Sequence, residues 1–363
     1  MTDHIAKLPH KLDSRNVHNL VVGPHKTPAF SQFNQFGWMK SNNDNMSMNA
    51  NLTEIAGNEL YVEYFCSESF TKGIRLHLIF LSTFVVFLCI FTSLGNVLIL
   101  VALRKECTLG SPSKLLLRSL ATSDLCVGVL SSPLGAIYWL SAIKERWSVC
   151  YFALSTGFFI NYALCGVSLL TTSAISVDRL LALSLGMRYR ETVTLKRVYG
   201  IIFTFWILVI VCSAFSVKSS EFGTRFLQTV FSICLATSTF SHIRIFFNLR
   251  KHRTRVQNRR SRQDPPSSSL PIEVSIAKHK KAVSSVIWIQ LALLICYLPY
   301  PTMMALSSTK SELSQPLVLG RQYGVVFAFV NSLLNPLLYC WKISEVRRAV
   351  VTTLKKFRSS SSD

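Results

Sequence analysis

An acid inside an apolar run is the feature of this chain that most demands chemistry: Asp124, in Leu115-Leu-Leu-Arg-Ser-Leu-Ala-Thr-Ser-Asp124-Leu. A carboxylate at the centre of a membrane helix costs about 2.5–3.5 kcal/mol on insertion scales, so it ordinarily faces a bundle interior and marks a functional site. Asn96, Ser168, Asn331 and Asn335 interrupt other apolar stretches, and the last two are four apart, on one helix face. Hard oxygen donors around one negative charge could hold a small cation or relay ions. The neutral groups, Asn96 above all, could instead hydrogen-bond helices together. The apolar stretches contain no carboxylate pair and no His/Glu spacing suited to metal-assisted hydrolysis, so nothing here points to an enzyme.

A second group could do mechanical work. Asp178-Arg179 closes the third apolar stretch. It is either a helix-end pair whose arginine reaches the headgroups or a latch that frees Arg179 when helices move. Pro299, in Cys296-Tyr-Leu-Pro299-Tyr-Pro301, and Pro336, in Asn335-Pro336-Leu-Leu-Tyr339, interrupt the sixth and seventh stretches. A proline inside a helix removes one backbone hydrogen bond and kinks the rod, which makes a pivot.

Long helices must position these residues. Apolar stretches run over 74–103, 115–140, 149–177, 198–217, 226–249, 282–306 and 322–341. Most can cross a hydrocarbon layer about 30 Å thick at 1.5 Å per residue. Only 16% of the 363 residues are charged, against about 25% in soluble domains. The net charge of +21 does not indicate nucleic acid, because its placement follows a membrane rule. The joints 141–147, 218–225 and 307–321 each carry two basic residues and one acid, whereas 244–281 carries eleven Lys/Arg against Asp264 and Glu273. Basic residues stay cytoplasmic, so the predicted topology is N-terminus out and C-terminus in. That charge also suits the anionic inner leaflet.

Three regions follow: an outer, flexible tail over 1–73, the bundle over 74–341, and a cytoplasmic segment over 342–363. The first 40 residues show no compact apolar region of the signal-peptide kind, so the first span is expected to act as a signal anchor. Asn45 and Asn51 begin glycosylation sequons in the outer tail. Of the ten cysteines, only Cys66 and Cys150 fall on the oxidising side, where they could pair. The stretch from Arg250 to Lys280 contains Asp264-Pro-Pro-Ser-Ser-Ser and reads as a flexible loop. Ser359–Ser362 is either a phosphorylation cluster or a solvated terminus.

Taken in order, these motifs resemble a rhodopsin-like G-protein-coupled receptor over residues 74 to about 350. The resemblance is carried by Gly95-Asn96-Val, Leu120-Ala-Thr-Ser-Asp124-Leu, Asp178-Arg179-Leu, Trp206, Cys296-Tyr-Leu-Pro299 and Asn335-Pro336-Leu-Leu-Tyr339. Trp341-Lys-Ile-Ser-Glu-Val-Arg-Arg is similar to the family's short eighth helix. The implied fold is all-α: a seven-transmembrane helix bundle with a short amphipathic eighth helix. The resemblance assigns Asp124, Ser168, Asn331 and Asn335 to a sodium pocket and Arg179 to G-protein contact. It makes Tyr339 a residue that turns inward on activation and puts Tyr297 in the toggle position. His242 replaces a tyrosine usual in the fifth helix, and His279 replaces an acid that often pairs with the latch arginine. The short joint after the fourth span has no cysteine, so a Cys66–Cys150 bond would substitute for the family's loop disulfide.

The implied ligand pocket takes in Phe158, Asn161, Tyr162, Tyr297, Tyr300, Met304 and Phe327, a lining suited to a mostly apolar ligand with a few hydrogen bonds. Asn161 stands where amine receptors place an aspartate, and Phe329 stands where opsins place the retinal lysine. A peptide, lipid or nucleoside-like ligand is therefore expected over a monoamine or retinal. The look is nearest to the adenosine, melanocortin and lipid-receptor branch. Expected partners are an extracellular ligand, a heterotrimeric G protein, membrane lipid, and arrestin and receptor kinase at the serine-rich tail, with no nucleic acid. The expected place is the plasma membrane, with a bound sodium ion in place of any organic cofactor. The alternative is a seven-span ion-coupled transporter or channel using Asp124.

Overall fold

A computed structural model describes residues 64–105, 110–218, 220–260, 291–309 and 314–360. All of them belong to the compact unit Met46–Asp363. The described elements are helices: α1 Arg75–Lys105, α2 Ser111–Ile143, α3 Trp147–Leu185, α4 Leu195–Lys218, α5 Ser220–Arg260, α6 Pro299–Thr309, α7 Gln315–Lys342 and α8 Ser344–Ser360. Six of them are long and apolar enough to cross a membrane. The sixth stretch is described as the shorter apolar helix Leu291–Leu306, and its earlier residues lie outside the described residues. So do Asn45, Asn51, His279 and Ser361–Ser362.

Each rod sorts its side chains by face. In α1, Leu78, Leu81, Val85 and Leu88 recur at helical spacing and are buried, while Leu76, Phe80, Phe84, Phe87 and Phe91 stand exposed on the other side. An apolar outer face of that extent matches hydrocarbon rather than water. At the lower end of α1, Ile99 and Leu103 pack with Leu117 and Leu120 of α2 and with Val346 and Ala349 of α8. This contact fixes the apolar side of α8 and leaves its basic residues outward.

Prolines leave definite marks. The bond to Pro336 deprives the Ser332 carbonyl of its helical donor, and Asn96 Nδ2 of α1 donates to that oxygen at 3.2 Å. Asn96 therefore joins α1 to α7 at the kink. In the sixth span the helix breaks at Leu298 and resumes at Pro299. A single π turn, Val127–Ser131, precedes Pro133 in α2. It sits where Gly128 brings α2 close to Ser93 of α1.

The structure moves one expected boundary. Residues 64–73, assigned above to a flexible tail, fold onto the bundle. Phe65 and Phe70 are each only 2% exposed and share a core with Trp139, Leu78 and Val318. The Cys66–Cys150 disulfide fastens this segment to the first turn of α3. Composition hid this, because a few aromatic anchors within a polar tail do not change its average.

Gly324 sets the approach of α6 to α7. A Cβ there would lie 2.8 Å from Tyr300 Cα and 2.9 Å from Tyr300 N, against backbone that cannot turn aside. Gly324→Ala is expected to cost about 1–3 kcal/mol through overpacking. Thermal unfolding of the purified protein checks this: the midpoint should fall by several degrees, and an unchanged midpoint would contradict the close approach.

Candidate functional site

Three sites stack along the bundle. At mid-depth, Asp124 is fully buried. Asn335 Nδ2 donates to its Oδ2 at 2.8 Å, and Ser168 Oγ donates to its Oδ1 at 3.4 Å. Ser332 also hydrogen-bonds the carboxylate, and Ser123 Oγ meets Ser168 Oγ at 2.9 Å. Ser123 and Ser332 were missed in the sequence, although each adjoins a residue that was named. Asn331 stands apart from this group, since its Nδ2 donates to Tyr297 Oη at 3.3 Å. One turn of α7 separates it from Asn335, so the two amides face different layers.

Above this network lie two adjoining cavities, lined by side chains of α2, α3, α5, α6 and α7. They share Phe158, Asn161, Tyr300 and Val325 as walls. Tyr162 and Tyr297 line the second cavity. Ser131 Oγ donates to Asn161 Oδ1 at 3.2 Å, and the Tyr162 and Tyr300 hydroxyls are 3.5 Å apart.

Two expected lining residues are corrected. Phe327 is 40% exposed on the outside of α7, and Met304 is half-buried; neither lines either cavity. The face of α7 turned inward carries Arg321, Gln322, Val325, Ala328 and Phe329. Those positions follow a helical stripe, and Phe327 falls on its opposite side. Arg321, 5% exposed, and Phe65, from the segment before α1, are cavity residues that the sequence reading missed. Stripe arithmetic along α7 would have found the first.

The third site closes α3. Arg179 Nε lies 3.8 Å from Asp178 Oδ2. Asp178 is held more tightly by others: Ser113 Oγ donates to Oδ2 and Tyr189 Oη to Oδ1, each at 2.6 Å. Burial, followed by the bond to Asp178, raises the Tyr189 phenol above its ordinary range and keeps it a donor. Arg179 Nη2 is buried without a hydrogen-bond partner. Tyr339 is packed among Ile99, Leu120 and Val346.

No group of three or more His, Cys, Asp or Glu suited to a metal occurs among the described residues. The oxygen set around Asp124 is of another kind, with one carboxylate and neutral hydroxyl and amide groups, and it fits a hard monovalent cation. The Asn96 Oδ1 and Thr171 Oγ1 atoms are also buried without partners.

Comparison with known proteins agrees with this architecture. The family model described as 7 transmembrane receptor (rhodopsin family) matches residues 95–222 and 214–339. Sphingosine 1-phosphate receptor 2 of Rattus norvegicus is 26% identical over 297 residues, covering 76% of this chain and 77% of its own. The histamine H2 receptor of Cavia porcellus is 25% identical over 299 residues, covering 75% and 78%. The alpha-2B adrenergic receptor of Didelphis virginiana is 33% identical over 129 residues, covering 34% and 32%.

Proposed function

The chain belongs to the rhodopsin family of seven-transmembrane receptors, which are receptors and not enzymes, and on that premise we propose that it binds an extracellular ligand in the two cavities and activates a heterotrimeric G protein at its cytoplasmic end. One observation carries this reading. Tyr297 lines the inner cavity and accepts a hydrogen bond from Asn331, one turn of α7 before the Asn335 that holds Asp124. A ligand that moves Tyr297 therefore acts on the helix that also carries Pro336 and Tyr339. It shifts the bundle only through differential affinity for the two conformers.

Asp124, Ser168, Ser332 and Asn335 are the residues that would hold sodium, and the ion would supply the positive charge that balances the buried carboxylate. The relatives named for histamine and adrenergic ligands answer to amines, but here Asn161 stands where that branch places an acid. An apolar ligand such as a lipid suits the cavities better. The tail and outer loops then face outside at the plasma membrane, and the basic stretch over 244–281 faces the G protein.

The test is reconstitution of the receptor in lipid vesicles, with nucleotide exchange on added G protein and ion flux measured side by side. Receptor-dependent exchange without flux is expected. Flux without exchange would favour an ion-coupled transporter or channel instead.

A further inference from the structure

We propose that the outer cavity selects a ligand with an anionic head on an apolar body, and that Arg321 is the residue that reads the charge. This rests on the receptor reading above and narrows it to a chemical class.

Among the described residues, Arg321 is the one formally charged side chain lining either cavity, and no described carboxylate lines them. An ammonium ligand would meet no counterion on those walls, whereas an anion would meet a guanidinium. The guanidinium is also held in place. Its Cζ lies 5.1 Å from the centroid of the Phe65 ring, and it hydrogen-bonds Tyr300. A planar fork fixed in this way is suited to carboxylate or phosphate oxygens. Beside it, Trp139 Nε1 donates to Gln322 Oε1 at 2.9 Å. What Gln322 then has left to offer a ligand is an N–H donor, again suited to an anion.

Away from Arg321 the walls turn apolar. Leu154, Val325 and Phe329 lead to the shared wall, and Leu169, Leu227 and Phe231 line the space beyond it. A head at Arg321 would thus direct an apolar body toward Tyr297. The same chemistry is found in a lipid with an anionic headgroup and in a compact soluble organic anion, so the test separates them.

Full-length receptor in neutral detergent is titrated with dodecyl phosphate, dodecanoate, dodecanol, dodecylammonium, phenyl phosphate and inorganic phosphate, and thermal unfolding is followed. The two dodecyl anions are expected to protect at concentrations about tenfold lower than the alcohol or the ammonium, as charge-assisted contacts require. Arg321→Gln should abolish that preference, and Arg321→Lys should retain it. Gly157→Leu, whose Cβ has ordinary space 4.0 Å from Leu134 Cβ, should fill the cavity and remove protection by every probe. Tighter binding of dodecyl phosphate than of phenyl phosphate assigns a lipid; equal binding of the two assigns a soluble organic anion. The proposal is overturned if no probe protects, if the ammonium or alcohol binds as well as the anions, or if Arg321→Gln keeps the preference. Unaltered binding to Gly157→Leu overturns it too. The receptor reading stands or falls separately, on ligand-free nucleotide exchange.

Discussion

Alanine in place of Arg179 abolishes nucleotide exchange on the G protein while the receptor still reaches the cell surface: that is the expected result. The geometry separates the two outcomes. Asp178 is already satisfied at 2.6 Å by both Ser113 and Tyr189, while Arg179 sits 3.8 Å away with its side chain 38% exposed. With the carboxylate already held by two short hydrogen bonds, a contact this long adds little to stability, so the fold should tolerate its loss. In the docked state, the same arginine is expected to act as an interface anchor. Truncating such an anchor costs about 2–4 kcal/mol, or roughly 30- to 1000-fold in coupling. Surface labelling and exchange assays on the same cells check both halves. Exchange that survives the substitution would remove Arg179 from the G-protein contact.

The second large effect is expected at Asp124. By linkage, a cation that prefers one conformer lowers the affinity of a ligand that prefers the other, typically 5- to 150-fold. In the wild-type receptor, replacing choline chloride by sodium chloride should shift ligand affinity within that range and raise the unfolding midpoint of the ligand-free protein. In Asp124→Asn both responses should vanish. The asparagine nearly matches the shape of the side chain and can still hydrogen-bond Ser168 and Asn335, so what is lost is charge more than fold. Sodium dependence that persists in this variant would refute the Asp124 pocket, and the ligand-free midpoint reads that out without any coupling assay.

How much of this was legible in the sequence depends on what each feature needs. Spans follow from hydropathy alone, and the apolar stretches around Asn96, Asp124 and Asn335 stand out because polar groups are rare in them. Cavity walls need the rotation of each helix as well. Phe327 and Arg321 lie on one rod, and only the inward stripe of α7 tells which of them lines a cavity. Contacts between distant segments were harder still. Nothing in the polar run before α1 marks Phe65 as a cavity wall, and nothing near Asp178 marks Ser113 or Tyr189 as its tightest partners. Asn96 was legible as helix glue, but the carbonyl it serves became visible only with the Pro336 kink in place.

α4 ends at Lys218 and α5 begins at Ser220, so the chain has almost no loop there with which to screen the cavity. Phe65 does some of that screening from outside the seven rods, anchored through Cys66 and Cys150. On the proposed receptor reading, selectivity is divided between two kinds of sequence: helices packed under strict size limits, and a strap held by one disulfide and two buried rings. Changes at Phe65 would then alter which molecules are admitted while leaving intact the network around Asp124 below.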